Sequence, residues 1–472
     1  MKVGLNRYIT DSSLPQKDGV NLAHENITGL MSDICHEEID VEFHDFNELL
    51  RSDIDTVRIR LKDLDCIISN VGPHAHYYFW LREKCGLSFR IIRDVRTAIW
   101  SSYLLQEYLI APLLRANDTL LVASYYTQAI YHKFFPHLRK SISIKCYPLT
   151  ASFPHKDLIN GKRYPLDGSF TIGYIGRLSE DKNFPQLIDL IISLNKRGQK
   201  KYRLVACGDV HSNSCEPNEI INRLKCSLGE GDFFIYEDAR PHDQIWSLLF
   251  SFDLMIFPST SNLETFGRVL VEASYAKVPV IAADHAAASE LVPTQNLCDV
   301  TYNTNDNFSA HFDHCLGQIK TEDVESKILN DKVQVSDCFE AFKTHTDLFV
   351  NLLKVADYET LLKMTQDPNL SRNQMKFIDR IRCSLPEPLT KSLVMEKIQH
   401  IASWFIDLQD PNPLFKKIAV QKLLTLSCHR ERSARFSMKH MQTQGNYTNV
   451  GGIDIELCHV LKFYPSFHIE NL

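Results

Sequence analysis

The stretch Pro258–Ile281, PSTSNLETFGRVLVEASYAKVPVI, decides how the rest of the chain is read. An apolar run, DLMIF, leads into it and predicts a strand, and VPVIAA near its end predicts the next strand. Between the two strands lie a loop with Glu264 and a helical run with Glu272. This order of strand, loop, helix and strand is typical of a parallel sheet with crossover helices.

The same alternation of short apolar runs and helical patterns covers the first 355 residues or so. We predict an α/β chain with two doubly wound, Rossmann-like domains at residues 1–150 and 169–355, joined by a polar linker at 151–168. Ligands of such sheets bind beyond the carboxyl ends of the strands, so a cleft between the domains is expected. Residues 356–472 show helical spacing of apolar residues and predict an appendage of unknown role.

Composition excludes some classes of function. A net charge of -6 over 472 residues offers no electrostatic case for nucleic acid. The 13 cysteines are scattered without a C-x-x-C pair, as is typical of reduced thiols in a cytoplasmic protein. The N-terminal residues lack a signal-peptide pattern, and no apolar run approaches the ~20 residues that span a bilayer. We expect a cytoplasmic protein and leave open a peripheral contact with the inner membrane face and homo-oligomer formation.

A basic loop follows the first strand of the second domain. In YIGRLSEDKN, the strand ends at Gly176, and Arg177 and Lys182 precede a helix that begins near Pro185. Two cations beside a helix N-terminus predict a diphosphate site. When the segment is considered alone, an ordinary solvated loop with basic residues is the favoured explanation.

The loop and helix of the opening stretch carry groups suited to a sugar nucleotide. The backbone N–H groups of Phe266, Gly267 and Arg268 would lie at a helix start, where they can donate to phosphate or sugar oxygens. Ionised Glu264 and Glu272 accept hydrogen bonds from vicinal hydroxyls, and a helix would separate them by about 12 Å. The alternative is one acidic residue stabilising a helix dipole and one exposed glutamate.

In this order, GRLSEDKN and PSTSNLETFGRVLVEA resemble the retaining glycosyltransferases of family four, whose two Rossmann-like domains form the GT-B fold. Glu264 and Glu272 match the Glu-x7-Glu motif of that family, and Arg177 and Lys182 match its basic loop. The resemblance covers residues 169–300 closely and 1–168 loosely, and it does not extend to 356–472.

The resemblance implies a role for each residue. Arg177 and Lys182 would hold the donor diphosphate, Glu264 would contact the donor sugar near its reacting carbon, and Glu272 would bind the ribose. The residues implied to line the donor pocket are Gly176, Gly208, Thr265, Phe266, Gly267, Arg268 and Val269. No cofactor and no metal are expected, because cations and helix N-termini already neutralise the diphosphate in this family.

The first domain is expected to bind the acceptor, a glycan, a lipid-linked molecule or another hydroxyl compound. Its candidates are His74 and His76 in GPHAHYYFW, which is similar to an HxHY-like run of the family. A capped helix start with surface imidazoles is the alternative. Asp94 and Arg96 follow at the next strand end, where many relatives have a histidine, and Asp94 is a candidate for contact with acceptor or donor. Ser124 matches a position often written PS.

The expected activity is hexosyl transfer from a nucleoside diphosphate sugar with retention, in glycan or glycoconjugate biosynthesis. A nicotinamide dehydrogenase is excluded because KVGLNRY lacks G-x-G-x-x-G. The two Asp-x-Asp triplets, which begin at Asp53 and Asp63, sit in polar connections and do not favour a metal-dependent transferase. A sugar-nucleotide epimerase of the same fold and a phosphorylase, whose pyridoxal lysine has no candidate, stay open as enzymes. A degenerate nucleotide-sugar-binding or assembly subunit stays open as a non-enzyme.

Overall fold

A computed structural model describes residues 1–6, 27–31, 39–70, 75–96, 104–140, 142–145, 167–198, 200–303, 307–308, 315–330, 332–340, 353, 370–383, 390–396, 398–399 and 467–469. His74, most of the predicted linker and most of the predicted appendage lie outside these residues.

Six parallel strands form the first sheet. They are β1 Lys2–Asn6, β2 Asp40–His44, β3 Cys66–Ser69, β4 Arg90–Val95, β5 Thr119–Val122 and β6 Ile142–Lys145. Their order across the sheet is β2-β1-β3-β4-β5-β6. Strand β3 is buried along its whole length, which explains why CIIS is nearly all apolar. The sequence predicted each of these strands.

The second sheet also has six parallel strands. They are β7 Phe170–Ile175, β8 Tyr202–Cys207, β9 Phe234–Glu237, β10 Leu254–Phe257, β11 Val280–Ala283 and the short β12 Leu297–Cys298. Their order is β12-β11-β10-β7-β8-β9, the doubly wound order of a dinucleotide-binding domain. Two doubly wound sheets confirm the predicted GT-B architecture.

Helices surround both sheets. In the first domain they are α1 Phe46–Arg51, α2 Ile54–Leu61, α3 His76–Cys85, α4 Leu104–Ile110 and α5 Tyr125–Phe134. In the second domain and beyond they are α6 Phe184–Lys196, α7 Pro217–Leu228, α8 Ile245–Leu249, α9 Arg268–Tyr275, α10 Ala288–Leu291, α11 Thr321–Leu329 and α12 Arg372–Arg380. No helix among the described residues is long and apolar enough to cross a membrane.

The two domains are packed together. One hydrophobic cluster joins Val95 and Tyr126 of the first domain to Ala286 and Leu316 of the second, and Phe377 of α12 belongs to it. Ala123 of the first domain lies in the main core cluster of the second. The carboxyl ends of the two sheets therefore face each other across an apolar contact.

The described parts of the predicted appendage pack onto the domains. Val394 and Ile398 are fully buried in the core beside α2 and α3, and the indole Nε1 of Trp80 donates to the Met395 carbonyl at 3.2 Å. The helical prediction for QMKFIDRIRC is wrong at its end, because Ile381–Cys383 form strand β13. That strand pairs antiparallel with a strand near the C-terminus, Phe467–Ile469, so a tertiary partner overrides the local helical spacing.

Candidate active site

The candidate site lies where the crossovers of the second sheet change direction. Strands β7 and β10 are neighbours, with Ile172 beside Leu254 and Gly173 beside Met255. The chain continues from β7 towards β8 on one side and from β10 towards β11 on the other. The loops that follow β7 and β10 therefore diverge at this edge of the sheet, which is where ligands of doubly wound sheets bind. One loop carries Arg177 and Lys182, and the other carries Glu264.

Two glycines keep this edge of the sheet open. Gly176 and Gly208, which follow β7 and β8, have φ values of +150° and +151°. A Cβ on Gly208 would lie 1.9 Å from the Gly176 carbonyl oxygen, so no larger residue fits there without moving the backbone. The strand ends thus approach each other closely and leave backbone, rather than side chains, beside the site.

An ion pair links the two loops. Lys182 Nζ lies 2.6 Å from Glu264 Oε2, and the Ser259 hydroxyl donates to the same oxygen at 3.3 Å. Both charged side chains are mostly buried, with 18% and 12% exposed. Burial acts to raise the pKa of Glu264, but the charge and hydrogen bond of Lys182 outweigh it and hold the pKa below its usual value. The site therefore presents an ionised carboxylate and a cation side by side.

Asn183 fixes the geometry of that pair, and the sequence analysis missed it. Its φ is +57°, and it immediately precedes α6. Its amide nitrogen lies 3.0 Å from the Pro258 carbonyl, 2.9 Å from Thr260 Oγ1 and 2.9 Å from the Gly317 carbonyl. Asn183 therefore ties the loop of Lys182 to the loop of Glu264. A polar residue before an apolar helical run signals a helix start, but it does not reveal these partners.

Arg177 stands at the rim of the same loop. Its guanidinium lies 3.2 Å from Asp181 Oδ2, and a third of the side chain, 33%, is exposed. Burial acts to raise the pKa of Asp181, but Lys182 and Arg177 outweigh it and lower that pKa. Asp181 thus holds Arg177 at the rim, where the exposed part of the side chain can be approached by an anionic ligand from solvent.

Glu272 is held at the far end of the site. Its Oε1 accepts hydrogen bonds from Arg268 Nε and His242 Nε2, each at 2.8 Å. Burial acts to raise its pKa, but His242 and Arg268 lower the pKa overall. Both donors reach the same oxygen, which leaves Oε2 for a hydroxyl among the described contacts. His242, which follows β9, is a second residue that the sequence analysis missed.

Gly267 starts α9 in a left-handed conformation, with φ +78°. A Cβ on this glycine would lie 2.9 Å from Leu270 Cδ1, so both the left-handed backbone and this contact favour glycine. The Phe266 ring is buried in the main core cluster, and Val269 packs against that cluster. Both side chains anchor the loop in the core. Any contact of Phe266 with a ligand would therefore be made by its backbone.

Thr265 connects the loop of Glu264 to the first domain. Its carbonyl accepts a hydrogen bond from Ser124 Oγ at 2.9 Å, and its hydroxyl lies 3.5 Å from the Arg96 carbonyl. Ser124 and Arg96 follow β5 and β4, so the carboxyl edge of the first sheet touches this loop. The two halves of the predicted site are therefore brought together.

The acceptor candidates of the first domain are mostly buried. Asp94, 3% exposed, forms an ion pair with the adjacent guanidinium of Arg96. His76 is the first residue of α3 and is 4% exposed, with its ring 4.2 Å from that of Tyr77. The alternative interpretation of His76, as an imidazole on the protein surface, is therefore wrong. Roles for His74, His76 and Asp94 stay predictions.

His285 supports the loop of Glu264 from behind and was also missed. Its Nε2 lies 3.3 Å from the Ser261 carbonyl, which can only accept, so this nitrogen carries the proton. Its Nδ1 then accepts from the Tyr302 hydroxyl at 3.2 Å. Burial lowers the pKa of His285 to about 4, which keeps the ring neutral beside Lys182. No local sequence signal distinguishes this histidine from a solvent-exposed one.

Two buried histidines predict a pH dependence of stability. Burial lowers the pKa of His44 and of His285 to about 4. An unfolded histidine titrates near pH ~6.5. The unfolded chain therefore binds protons first as the pH falls, and the free energy of unfolding declines between pH ~6.5 and ~4, by about 3 kcal/mol for each histidine. Above this range both forms are neutral and neither histidine contributes.

Urea unfolding at pH 7 and pH 5 checks this expectation. The His285→Gln variant, which keeps a donor to the Ser261 carbonyl, should lose less stability than the wild type over this interval. Depressed carboxylate pKa values act mainly below pH ~4.3 and do not obscure the comparison. Equal losses in the variant and the wild type would contradict the assignment of His285.

Residues 159–312 match the family model described as "Glycosyl transferases group 1". That segment contains both diverging loops and all four candidate donor-site charges, Arg177, Lys182, Glu264 and Glu272. The match supports a glycosyltransferase. No curated protein matches the chain.

Several solved structures are similar to the chain at low identity. HepE of Anabaena, solved with UDP and glucose, is 17% identical, with 77% of this chain and 97% of that chain covered and a TM-score of 0.46. Sucrose-phosphate synthase of Thermosynechococcus elongatus is 13% identical, with 77% and 97% covered and a TM-score of 0.47. The lipopolysaccharide outer core galactosyltransferase WaaB is 14% identical, with 75% and 99% covered and a TM-score of 0.49. Because these scores are low, the fold assignment rests on the two sheets themselves.

Proposed function

We propose that the protein is a retaining glycosyltransferase of family four that moves a hexose-type sugar from a nucleoside diphosphate sugar to an acceptor hydroxyl. The observation that carries the proposal is the pair Lys182–Glu264, 2.6 Å apart at the switch point of the second sheet. A diphosphate needs a cation, and sugar hydroxyls need an ionised acceptor. The pair supplies both from two adjacent loops.

In the proposed reaction, the bond between the anomeric carbon and the β-phosphate oxygen breaks, and negative charge develops on the diphosphate. Lys182 and Arg177 stabilise that charge in a site with little water. The acceptor oxygen bonds to the anomeric carbon on the face that the diphosphate leaves. Its proton passes to the departing phosphate oxygen. Glu264 holds the sugar hydroxyls and, tied to Lys182, is not proposed as a covalent nucleophile.

The remaining parts of the proposal concern the partners. The acceptor is a glycan, a lipid-linked molecule or another hydroxyl compound, held by the first domain. No metal takes part, because Arg177, Lys182 and the start of α6 neutralise the diphosphate. A cytoplasmic location and a role in glycan or glycoconjugate biosynthesis complete the proposal.

A panel of UDP-, GDP- and ADP-sugars tests this function. With the wild-type protein we expect release of one nucleoside diphosphate, by hydrolysis or by transfer to a sugar acceptor, and an α-linked product from an α-linked donor by NMR. Glu264→Ala should abolish release. Binding without any release would favour the nucleotide-sugar-binding subunit, and interconversion of the free sugar nucleotide would favour the epimerase.

Replacing Glu272 should weaken nucleotide binding without abolishing the fold. Glu272→Gln keeps an acceptor for Arg268 and removes the charge that would hold the ribose hydroxyls. Charge-assisted hydrogen bonds contribute about 1.5–3 kcal/mol, so we expect the affinity for UDP, measured by calorimetry, to fall at least tenfold. Glu325→Gln is the control, because Glu325 is equally buried but pairs with Arg197 at 2.6 Å away from the site. Unchanged affinity in Glu272→Gln would contradict the ribose assignment.

A further inference from the structure

A carboxylate of the second domain caps a helix of the first. Glu290, on α10, accepts hydrogen bonds from the backbone nitrogens of Tyr125 and Tyr126, at 2.9 Å each. These nitrogens open α5, a ten-residue helix whose first N–H groups have no partners within the helix. A carboxylate there is favoured by the helix dipole and by the charge on both hydrogen bonds. The cap that stabilises α5 is therefore supplied across the domain junction.

A second contact joins the same helix start to the candidate site. Ser124, the residue before α5, accepts from the Thr127 nitrogen at 3.1 Å and donates to the Thr265 carbonyl at 2.9 Å. Thr265 follows Glu264 directly in the chain. The start of α5 thus touches the second domain at two places, one through Glu290 and one through the loop that would hold the donor sugar.

The carboxylate of Glu290 is itself held in place. Gln374, on α12, donates from Nε2 to Glu290 Oε1 at 3.1 Å and to the Ala286 carbonyl at 2.7 Å. Gln374 is buried, with 2% exposed. The Gln374 amide is bonded both to the Glu290 carboxylate and to the Ala286 carbonyl of the second domain. The carboxylate therefore keeps its direction towards α5.

We propose that Glu290 is a positioning residue that sets the register of the two domains for catalysis. By capping α5 it holds Ser124 against the Thr265 carbonyl, and so places the acceptor half opposite the loop of Glu264. Its catalytic consequence rests on the function proposed above. The hydrogen bonds described for Glu290 join it to the start of α5 and to Gln374, so its loss should impair transfer more than nucleotide binding.

Amide hydrogen exchange tests the contact without any substrate. In Glu290→Ala, the amides of Tyr125 and Tyr126 should exchange at least tenfold faster than in the wild type. Glu290→Gln, whose single carbonyl oxygen can replace only one acceptor, should fall between the two. Glu325→Gln serves again as the control with a buried carboxylate paired inside one domain. Unchanged exchange at α5 in Glu290→Ala overturns the inference, whatever the protein catalyses.

Kinetics test the catalytic part with UDP and the UDP-sugar that the wild type turns over. Glu290→Ala should lower kcat at least tenfold, leave the Kd for UDP within twofold, and raise the ratio of donor hydrolysis to transfer. A general loss of structure would instead weaken UDP binding in parallel with kcat, and that result overturns the positioning role. If the wild type turns over no sugar nucleotide while exchange at α5 responds as expected, the proposed function fails and the interdomain cap stands.

Discussion

Lys182→Ala is expected to lower turnover of the sugar nucleotide at least a hundredfold, because removing one preorganised group that stabilises developing charge typically costs ~10²–10³ in kcat. The Lys182 ammonium lies 2.6 Å from Glu264, at the place where the diphosphate and the sugar of the donor would meet. The rate of nucleoside diphosphate release measures the effect. Lys196→Ala, at the exposed C-terminal end of α6, the helix that follows Lys182, is the matched control and should keep wild-type turnover.

The same substitution has a separate effect on stability. Without Lys182, Glu264 is left as a buried carboxylate without its cation, which costs about 1–3 kcal/mol of unfolding free energy. The double variant Lys182→Ala/Glu264→Gln removes the charge as well and should recover most of that loss while staying inactive. Urea unfolding and the turnover assay together separate the two roles. Near-wild-type turnover in Lys182→Ala would contradict the phosphate assignment.

Gly208→Ala is expected to destabilise the second domain by about 2–5 kcal/mol, from backbone strain and overpacking together. The new Cβ would lie 1.9 Å from the Gly176 carbonyl oxygen, at a φ of +151°. The ends of β7 and β8 would have to separate, and the nucleotide edge would change shape with them. Thermal unfolding in the presence and absence of UDP should show a lower Tm and a smaller stabilisation by the nucleotide.

Gly229→Ala separates the backbone strain from the overpacking that Gly208→Ala combines. Gly229 also has a positive φ, +82°, but a Cβ there would meet nothing within 4 Å. We therefore expect a smaller loss, about 1 kcal/mol, from strain alone. Equal losses for the two variants would mean that the close approach of β7 and β8 has no energetic consequence.

Much of the fold could be predicted because short local sequence patterns indicate its strands, helices and loops. Runs such as IGYI and LMIF are buried on both faces of a parallel sheet, and they stand out as short apolar segments between polar ones. Glycines at strand ends and the polar residues before helices mark the loops in the same local way. The helix that ends at Arg380 was predicted too long, because the pairing of Ile381–Cys383 with Phe467–Ile469 depends on a segment about 85 residues away.

The candidate site was predictable to the extent that its residues cluster in two loops. Arg177, Lys182, Glu264 and Glu272 lie in two short motifs, and adjacent strands bring these motifs together. Asn183, His242 and His285 could not be found in this way. Each acts through a hydrogen bond to a residue at least 24 positions distant, which no local pattern reveals.

The sequence by itself determined the two parallel sheets and placed Arg177, Lys182, Glu264 and Glu272 in two short segments after predicted strands, because periodicity and motif spacing are local properties of the chain. Only the tertiary structure decided which charges pair, which oxygens they use and how the domains meet. Lys182 pairs with Glu264 across 82 positions, and Glu290 caps a helix 165 positions away. Such contacts form only when folding brings distant loops to within hydrogen-bond distance, and burial then makes them strong.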